Sequence, residues 1–340
     1  MTFGTVPPGE LLLSFCIPTY KRAPKLARLL EQMVRVLEQS AFRDAVEIVI
    51  SDNASPDKTD EVCRTFGERL APLCHVRVLR QAENVGMMRN FQLLYEQARG
   101  SYVCLWGDDD GLYDTEFDPL LHDLSTIRPE LCVSSFNNYK FEGDRVRLDG
   151  QASVMVTDLE PGVRHLLALG KISQYVYRRR DLTPHEKGVS DRGRMETEFW
   201  FITLSVLLFT HHQRTLLLRS AEIGWSDRDS HDLRFSPRAY GTIKEAALLG
   251  LDDQVLRAEF ARKLPEPITD LIMVGILFRH AIGRIRLQPD IARMEHAHLM
   301  ENLPRLLFAH WRTFVKIPFI LVLYPLTRWR DAAAAGRIDR

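Results

Sequence analysis

Three consecutive carboxylates, Asp108, Asp109 and Asp110, stand just after an apolar and aromatic run at residues 102–106, with Gly107 between them. The run is β-prone and reads as a short buried strand. Adjacent Asp side chains repel one another and favour turns, so the strand must stop there. Carboxylate oxygens gathered at a strand end suit a hard divalent cation, Mn2+ or Mg2+, which brings a phosphate with it. In an open parallel sheet, ligands bind outside the carboxyl ends of the strands. The triplet is therefore read as a cation–diphosphate site; taken alone it suits a solvated acidic turn equally well.

Two more strand ends present polar clusters. Pro18, Thr19, Tyr20, Lys21 and Arg22 follow an apolar run at 11–17, and Ser51 to Asp57 follow another at 46–50. A third short strand is expected at 75–79. Apolar residues at Leu26, Leu29, Leu30, Met33, Val34 and Leu37 recur at helical spacing between the first two strands. Further helices are expected at 59–70 and from Gly86 to Ala98. Strand and helix thus alternate with short connections, which predicts a doubly wound, mostly parallel α/β sheet with right-handed crossovers. No G-x-G-x-x-G follows the first strand and no G-x-x-x-x-G-K-[ST] occurs, which argues against a dinucleotide dehydrogenase and a P-loop enzyme.

Taken in order, I-P-T-Y-K-R, V-I-S-D-N-A-S-P-D-K-T, E-N-V-G-M-M-R-N and W-G-D-D-D resemble the family 2 glycosyltransferases, whose nucleotide-sugar fold is called GT-A. The resemblance covers roughly residues 11–121. It implies that Thr19 and Tyr20, with Pro18 fixing the backbone, border the nucleotide base and ribose, and that Arg22 lies near the phosphates. Asp52 would accept a hydrogen bond from the pyrimidine ring N–H, with Asn53 and Ser55 shaping its loop; the same Asp52-Asn53 pair suits an Asx turn or a helix cap. Arg89 would stabilise the nucleotide side of the pocket, supported by Asn90. Asp108 would meet the ribose or the metal and Asp110 would bind the metal. Many relatives carry Asp where this chain has Gly107, which makes Asp109 the alternative ligand. The implied activity is a metal-dependent, inverting transfer of a sugar from a nucleoside diphosphate donor, a UDP-sugar foremost, to a hydroxyl of a glycan or lipid-linked glycan, as in bacterial surface polysaccharide assembly. The rival readings are a nucleotidyltransferase and an inactive nucleotide-sugar-binding module.

Inversion needs one base opposite the leaving group, normally a carboxylate. The polar stretch 183–198 contains Gly188 and Gly193, reads as a mobile loop, and ends in Glu196-Thr197-Glu198 before an apolar helix at 199–209. Glu198, then Glu196, then Asp191 are the candidates for the base; acids at a helix start also suit the helix dipole. Arg178-Arg179-Arg180 reads as a solvated edge, and His211-His212 as a helix C-terminal cap. The acidic, His-containing stretch 225–232 reads as a solvated turn.

The chain holds 340 residues, with 45 basic and 45 acidic side chains, so no global charge bias supports a nucleic-acid partner. Its five cysteines lack a Cys-x-x-Cys spacing and read as reduced core residues, which favours the cytoplasm. Residues 1–10 carry no signal-peptide pattern, and no apolar run approaches the roughly 18–20 residues that span a bilayer. We expect a catalytic domain over 1–235 and a helical extension over 236–340. Within the extension, 304–330 mixes Arg and Lys with Phe, Trp and Tyr and holds no acidic residue. Such a segment suits a membrane interface at the inner face of the membrane, or packing on the catalytic domain or on a second copy in a homo-oligomer.

Overall fold

The computed structural model describes residues 7, 9–134, 154–167, 172–197, 199–219, 224–226, 232–233, 242–263 and 286–287. The first half alternates as expected: β1 (Leu13–Thr19), α1 (Ala23–Gln39), β2 (Val46–Asp52), α2 (Thr59–Leu70), β3 (His75–Arg80), α3 (Met87–Gln97) and β4 (Tyr102–Leu105). There follow β5 (Asp110–Leu112), α4 (Asp114–Ile127), β6 (Leu131–Ser134), β7 (Val154–Val156), α5 (Leu159–Leu167) and β8 (Tyr175–Arg178). The remaining elements used below are α6 (Pro184–Glu196), α7 (Trp200–His211), β9 (Leu216–Arg219), β10 (Gly224–Ser226), α8 (Ile243–Leu251) and α9 (Gln254–Lys263).

Eight strands make one sheet in the order β3-β2-β1-β4-β8-β6-β9-β7. β1 pairs in parallel with β2 and β4, and β2 with β3. β8 lies antiparallel between β4 and β6, β6 and β9 are parallel, and β7 closes the edge antiparallel to β9. The parallel half is the one legible from strand–helix alternation; the reversed β8 comes from a segment with no such alternation.

Successive strand residues point to opposite faces, and this sorts the two cores. Phe15, Ile17, Ile48, Ile50, Tyr102, Cys104 and Trp106 pack with side chains of α1, α2 and α4 on one face. Cys16, Val49, Val103, Leu105, Tyr175 and Tyr177 pack with α3, α5, α7 and α8 on the other. Strands buried on both faces read as unbroken apolar runs for this reason. All five cysteines are free and buried.

One expectation is corrected. The stretch read as a mobile loop forms α6. Pro184 opens it, the Thr183 side chain accepts the Glu186 amide at 3.3 Å, and the Thr183 amide donates to the Glu186 carboxylate at 2.8 Å. This reciprocal capping box satisfies the orphan amides of the first turn. Gly193, which looked like a loop residue, is where α6 meets α7: a Cβ there would fall 2.7 Å from Thr203 atoms. After 242 the chain is helical, with a break at Asp252, whose φ is 54°. There α8 turns into α9, and Ala246, Ala247, Leu251 and Phe260 join the core beside α7. Among the described residues, no helix is long and apolar enough to cross a membrane. Segment 304–330 and the acidic stretch 227–231 lie outside the described residues.

The second half returns to the carboxylate rim twice. β8 runs against β4 and ends at the opposite rim, where Arg180 meets the Glu130 carboxylate and lies 2.8 Å from His212 at the end of α7. An α7 of twelve residues is about 18 Å long and leads from the end of α6 to His212 at that opposite rim. Separately, β10 pairs antiparallel with β5, setting Ser226 opposite Asp110.

Candidate active site

At the ends of β1 and β2 the two loops are tied together. The Asn53 amide donates to the Thr19 carbonyl at 3.0 Å and the Lys21 amide to Ser55 Oγ at 2.9 Å. Lys21 and Ala54 adopt left-handed φ of 56° and 58°. Such backbone is uncommon outside glycine, and here the cross-loop bonds hold it. Asp52 is buried: its Oδ1 accepts the Ser55 amide at 2.9 Å, closing an Asx turn. Its Oδ2 has no hydrogen-bond partner among the described residues, with Arg80 Nε 3.9 Å away. Asn53 bridges to the next loop, donating to Asn84 Oδ1 and accepting the Val85 amide, both at 2.9 Å. Asn90 accepts from Ser51 Oγ at 2.6 Å, anchoring the start of α3 to the end of β2. Tyr20 stands at the same edge with Lys21 Nζ 5.0 Å from its ring centre; hydrogen bonding with Asn84 draws its hydroxyl below the usual tyrosine range.

The triplet begins where the Trp106 amide donates to the Cys16 carbonyl, the last tie before the chain turns. Its three members have different surroundings. Asp108 is buried, accepts Thr19 Oγ1 at 2.8 Å and binds Arg22 Nη1 at 2.8 Å. Burial pushes its carboxyl above the usual range, and Arg22 pulls the other way. Asp109 is partly exposed and shares Arg22 at 2.8 Å, with Lys25 Nζ at 3.6 Å. Arg22 sits between the two carboxylates; its burial disfavours the charge, yet Asp108 and Asp109 hold its pKa above the ordinary value. Asp110 turns back: its Oδ2 accepts Ser173 Oγ at 2.5 Å, its amide donates to the Gly107 carbonyl at 3.1 Å, and Ser173 Oγ also accepts the Gly107 amide at 3.0 Å.

The structure thus brings Thr19, Arg22, Asp108 and Asp109 into one hydrogen-bonded group, with Asp110 beside it. Pro18 pairs with Ser51, and Thr19 with Asp52, where the two strands end. Arg89 is turned along its own helix, donating to Gln92 at 2.8 Å with Glu96 at 3.4 Å. Gln92 in turn donates to Asp191 Oδ1 at 2.7 Å, which ties α3 to α6. Asp191 therefore serves a helix–helix contact. Glu196, in the last turn of α6, is exposed. Glu198 lies outside the described residues. Sequence reasoning missed Lys25 and Ser173. A basic residue one helical turn after Arg22 was a signal for Lys25; Ser173 had none, because only the reversed course of β8 brings it to Gly107.

The donor set can be tested against a divalent ion. Asp108 is committed to Thr19 and Arg22, and no cluster of three His, Cys, Asp or Glu side chains suited to a metal occurs among the described residues. Asp109, paired with Arg22 and Lys25, and Asp110, bonded to Ser173, are the other carboxylates at the rim. That fits a Mg2+ or Mn2+ ion of the kind held by one or two carboxylates and completed by substrate phosphates and water, and does not fit an all-protein cage.

The model described as "Glycosyl transferase family 2" matches residues 14–186, half of the chain. The abequosyltransferase RfbV of Salmonella typhimurium is 38% identical over 103 residues, 30% of this chain and 29% of that protein. The aligned part is thus under a third of that relative's length. Among solved structures, Staphylococcus aureus TarS residues 1–349 in complex with UDP-GlcNAc superimposes with a TM-score of 0.53 at 15% identity, covering 80% of this chain and 73% of that one. The mannosyltransferase PcManGT of Pyrobaculum calidifontis, with GDP-Man and Mn2+, superimposes with a TM-score of 0.53 at 14% identity, covering 97% and 91%. At these identities the two structures establish the fold, which is GT-A.

Proposed function

The chain belongs to glycosyl transferase family 2, and from that premise we propose that it moves a sugar from a UDP-sugar to a hydroxyl of a glycan or lipid-linked glycan, with inversion and with the help of Mn2+ or Mg2+. The observation that carries this reading is the hydrogen-bonded group of Thr19, Arg22, Asp108 and Asp109 at the end of β1 and β4, with Asp110 adjoining. The solved relatives bound to UDP-GlcNAc and to GDP-Man with Mn2+ support a nucleotide-sugar donor and a divalent ion.

In this reading the buried Asp52 Oδ2, with hydrogen-bonding capacity unspent, accepts the ring N–H of the uracil. Tyr20 and Thr19, with Pro18 beneath them, border the base and ribose, and Asn53 holds the loop that Asp52 belongs to. Asp109 and Asp110 hold the ion, which supplies charge neutralisation to the departing diphosphate. Arg22 and Lys25, both half-exposed, add positive charge on the diphosphate side. Arg89 acts indirectly, by keeping Gln92 aimed at Asp191. The acceptor hydroxyl loses its proton to a carboxylate on the opposite side of the anomeric carbon. Glu196 and Glu198 at the α6–α7 junction are proposed for that step, Glu196 being the described one. Asp191 is the weaker candidate because Gln92 already occupies it.

Calorimetry with UDP, with and without Mn2+, tests the nucleotide and ion together. Binding that strengthens with Mn2+ in the wild type and loses that dependence in Asp110→Asn is expected; UDP binding indifferent to the ion would overturn the metal assignment. A donor panel read by released diphosphate then names the sugar. Glu196→Gln should cut transfer by at least about 100-fold while leaving UDP binding intact, and full activity would move the base to Glu198.

A further inference from the structure

We propose that the rim opposite the carboxylate triplet holds a second binding site, one that takes the phosphate group of an anionic ligand. Arg178 ends β8 there, and Arg179 and Arg180 follow it. As a sequence they suggest a solvated edge; in the structure all three are half-buried and line a cavity of about 560 Å3 together with Glu130 and His212. Backbone bonds fix their places. The Arg178 amide donates to the Glu130 carbonyl at 2.9 Å and the Arg179 amide to the Ser101 carbonyl at 2.8 Å, which holds the arginines between the starts of β4 and β6. Their charges are spent to different degrees. Arg180 is tied to Glu130 and donates to His212 Nδ1 at 2.8 Å, while its buried Nε has no hydrogen-bond partner. Arg179 has Asp181 at 3.7 Å, a fully exposed carboxylate whose pairing in water is weak. Arg178 makes no ion pair among the described residues. Glu130 is wholly buried and engages Arg180, so it orients that guanidinium. The lining therefore carries three guanidinium charges against one carboxylate. That surplus matches a phosphate dianion, and forked guanidinium donors match its oxygens. A cavity of this size has room for the phosphate and for the group that carries it. The phosphate can belong to a free phosphorylated compound or to an anionic lipid headgroup.

The test titrates the full chain with inorganic phosphate, followed by phosphorus-31 NMR line broadening, for wild type, Arg178→Gln, Arg179→Gln and Arg22→Ala. Arg180 is left in place, because removing it strands the buried Glu130 charge. Thermal melts confirm that each variant is folded. Wild type is expected to bind phosphate saturably, and Arg178→Gln and Arg179→Gln to weaken it about 10- to 100-fold each. Arg22→Ala, which alters the carboxylate rim alone, should bind phosphate as wild type does. A sedimentation arm with vesicles of phosphatidylcholine, with and without phosphatidic acid, separates the two sources. Binding to the phosphatidic acid vesicles that Arg178→Gln loses and free phosphate competes away assigns the site to a lipid headgroup; phosphate binding with no vesicle binding assigns it to a free phosphorylated compound. A wild type with no saturable phosphate binding, affinity unchanged in both Arg178→Gln and Arg179→Gln, or a loss in Arg22→Ala as large as theirs overturns the site. None of these results bears on the sugar-transfer reading, whose UDP and Mn2+ titrations report on the other rim.

Discussion

Asp108 shows how one carboxylate can be held in place by its immediate neighbours, Thr19 and Arg22. Its burial raises its pKa, so between the ordinary value of 3.8 and the folded value the native chain holds a proton that the unfolded chain has released. Stability contributed by this group therefore falls as pH rises through that window. Arg22 opposes the shift, so removing it must enlarge the effect. Arg22→Ala is expected to lose stability more steeply than wild type as pH rises above Asp108's ordinary value of 3.8, in urea titrations at successive pH values; an added Asp108→Asn should flatten the extra slope. A parallel pair of curves would show that Arg22 does not govern Asp108. The triplet and Thr19 were legible because consecutive carboxylates and a Pro-Thr end to an apolar strand are local signals. The unequal roles within the triplet were not. They depend on which carboxylate meets Thr19, which meets Lys25 and which meets Ser173, and the last of these arrives from a distant part of the chain.

Among the elements, α6 was the one misread, and its residues explain why. Of its thirteen residues only Glu186, Val189, Ser190 and Gly193 are buried, so no apolar stripe marks it. The cap did mark it: Thr183 and Glu186 stand at the spacing of a capping box. Thr183→Ala should cost about 1 kcal/mol and speed amide exchange in the first turn of α6. Gly193→Ala should cost more, about 1–3 kcal/mol, because Thr203 Cβ, rather than a flexible tip, occupies the space. Equal melting temperatures for Gly193→Ala and wild type would show that the two helices part easily. The strands behaved otherwise. Their alternating contributions to two cores follow directly from the two-residue period, so their existence was legible while the reversal of β8 was not. Pairing direction depends on the path between strands, and no residue type records it.

On the scale of the whole molecule, Glu10 joins parts far apart in sequence. Arg128, at the left-handed end of α4, donates to both of its oxygens at 2.7 and 3.0 Å, and Ser101 donates at 2.8 Å. The Arg128 bonds are the largest cause of its lowered pKa. A carboxylate held low contributes stability that is complete above its ordinary value of 4.5 and disappears as pH falls through the folded value. Glu10→Gln should therefore lower stability by about 0.5–1 kcal/mol at pH 7, the pair being half-exposed, and the difference from wild type should shrink as pH falls below 4.5; a constant difference in thermal melts on either side of that value would show that charge is not the cause. The interleaved order of the sheet also has a bearing on how the protein is made. As the chain leaves the ribosome, β2, β3 and β4 can each find a neighbour already synthesised, since domains form from the N-terminal side as they emerge. β6 cannot: the strand that joins it to β4 is β8, which emerges later. Until then the nascent sheet stops at β4 with that strand's outer hydrogen-bonding edge open, and the carboxylate rim exists before Ser173 and the β10 ribbon have been translated to finish it.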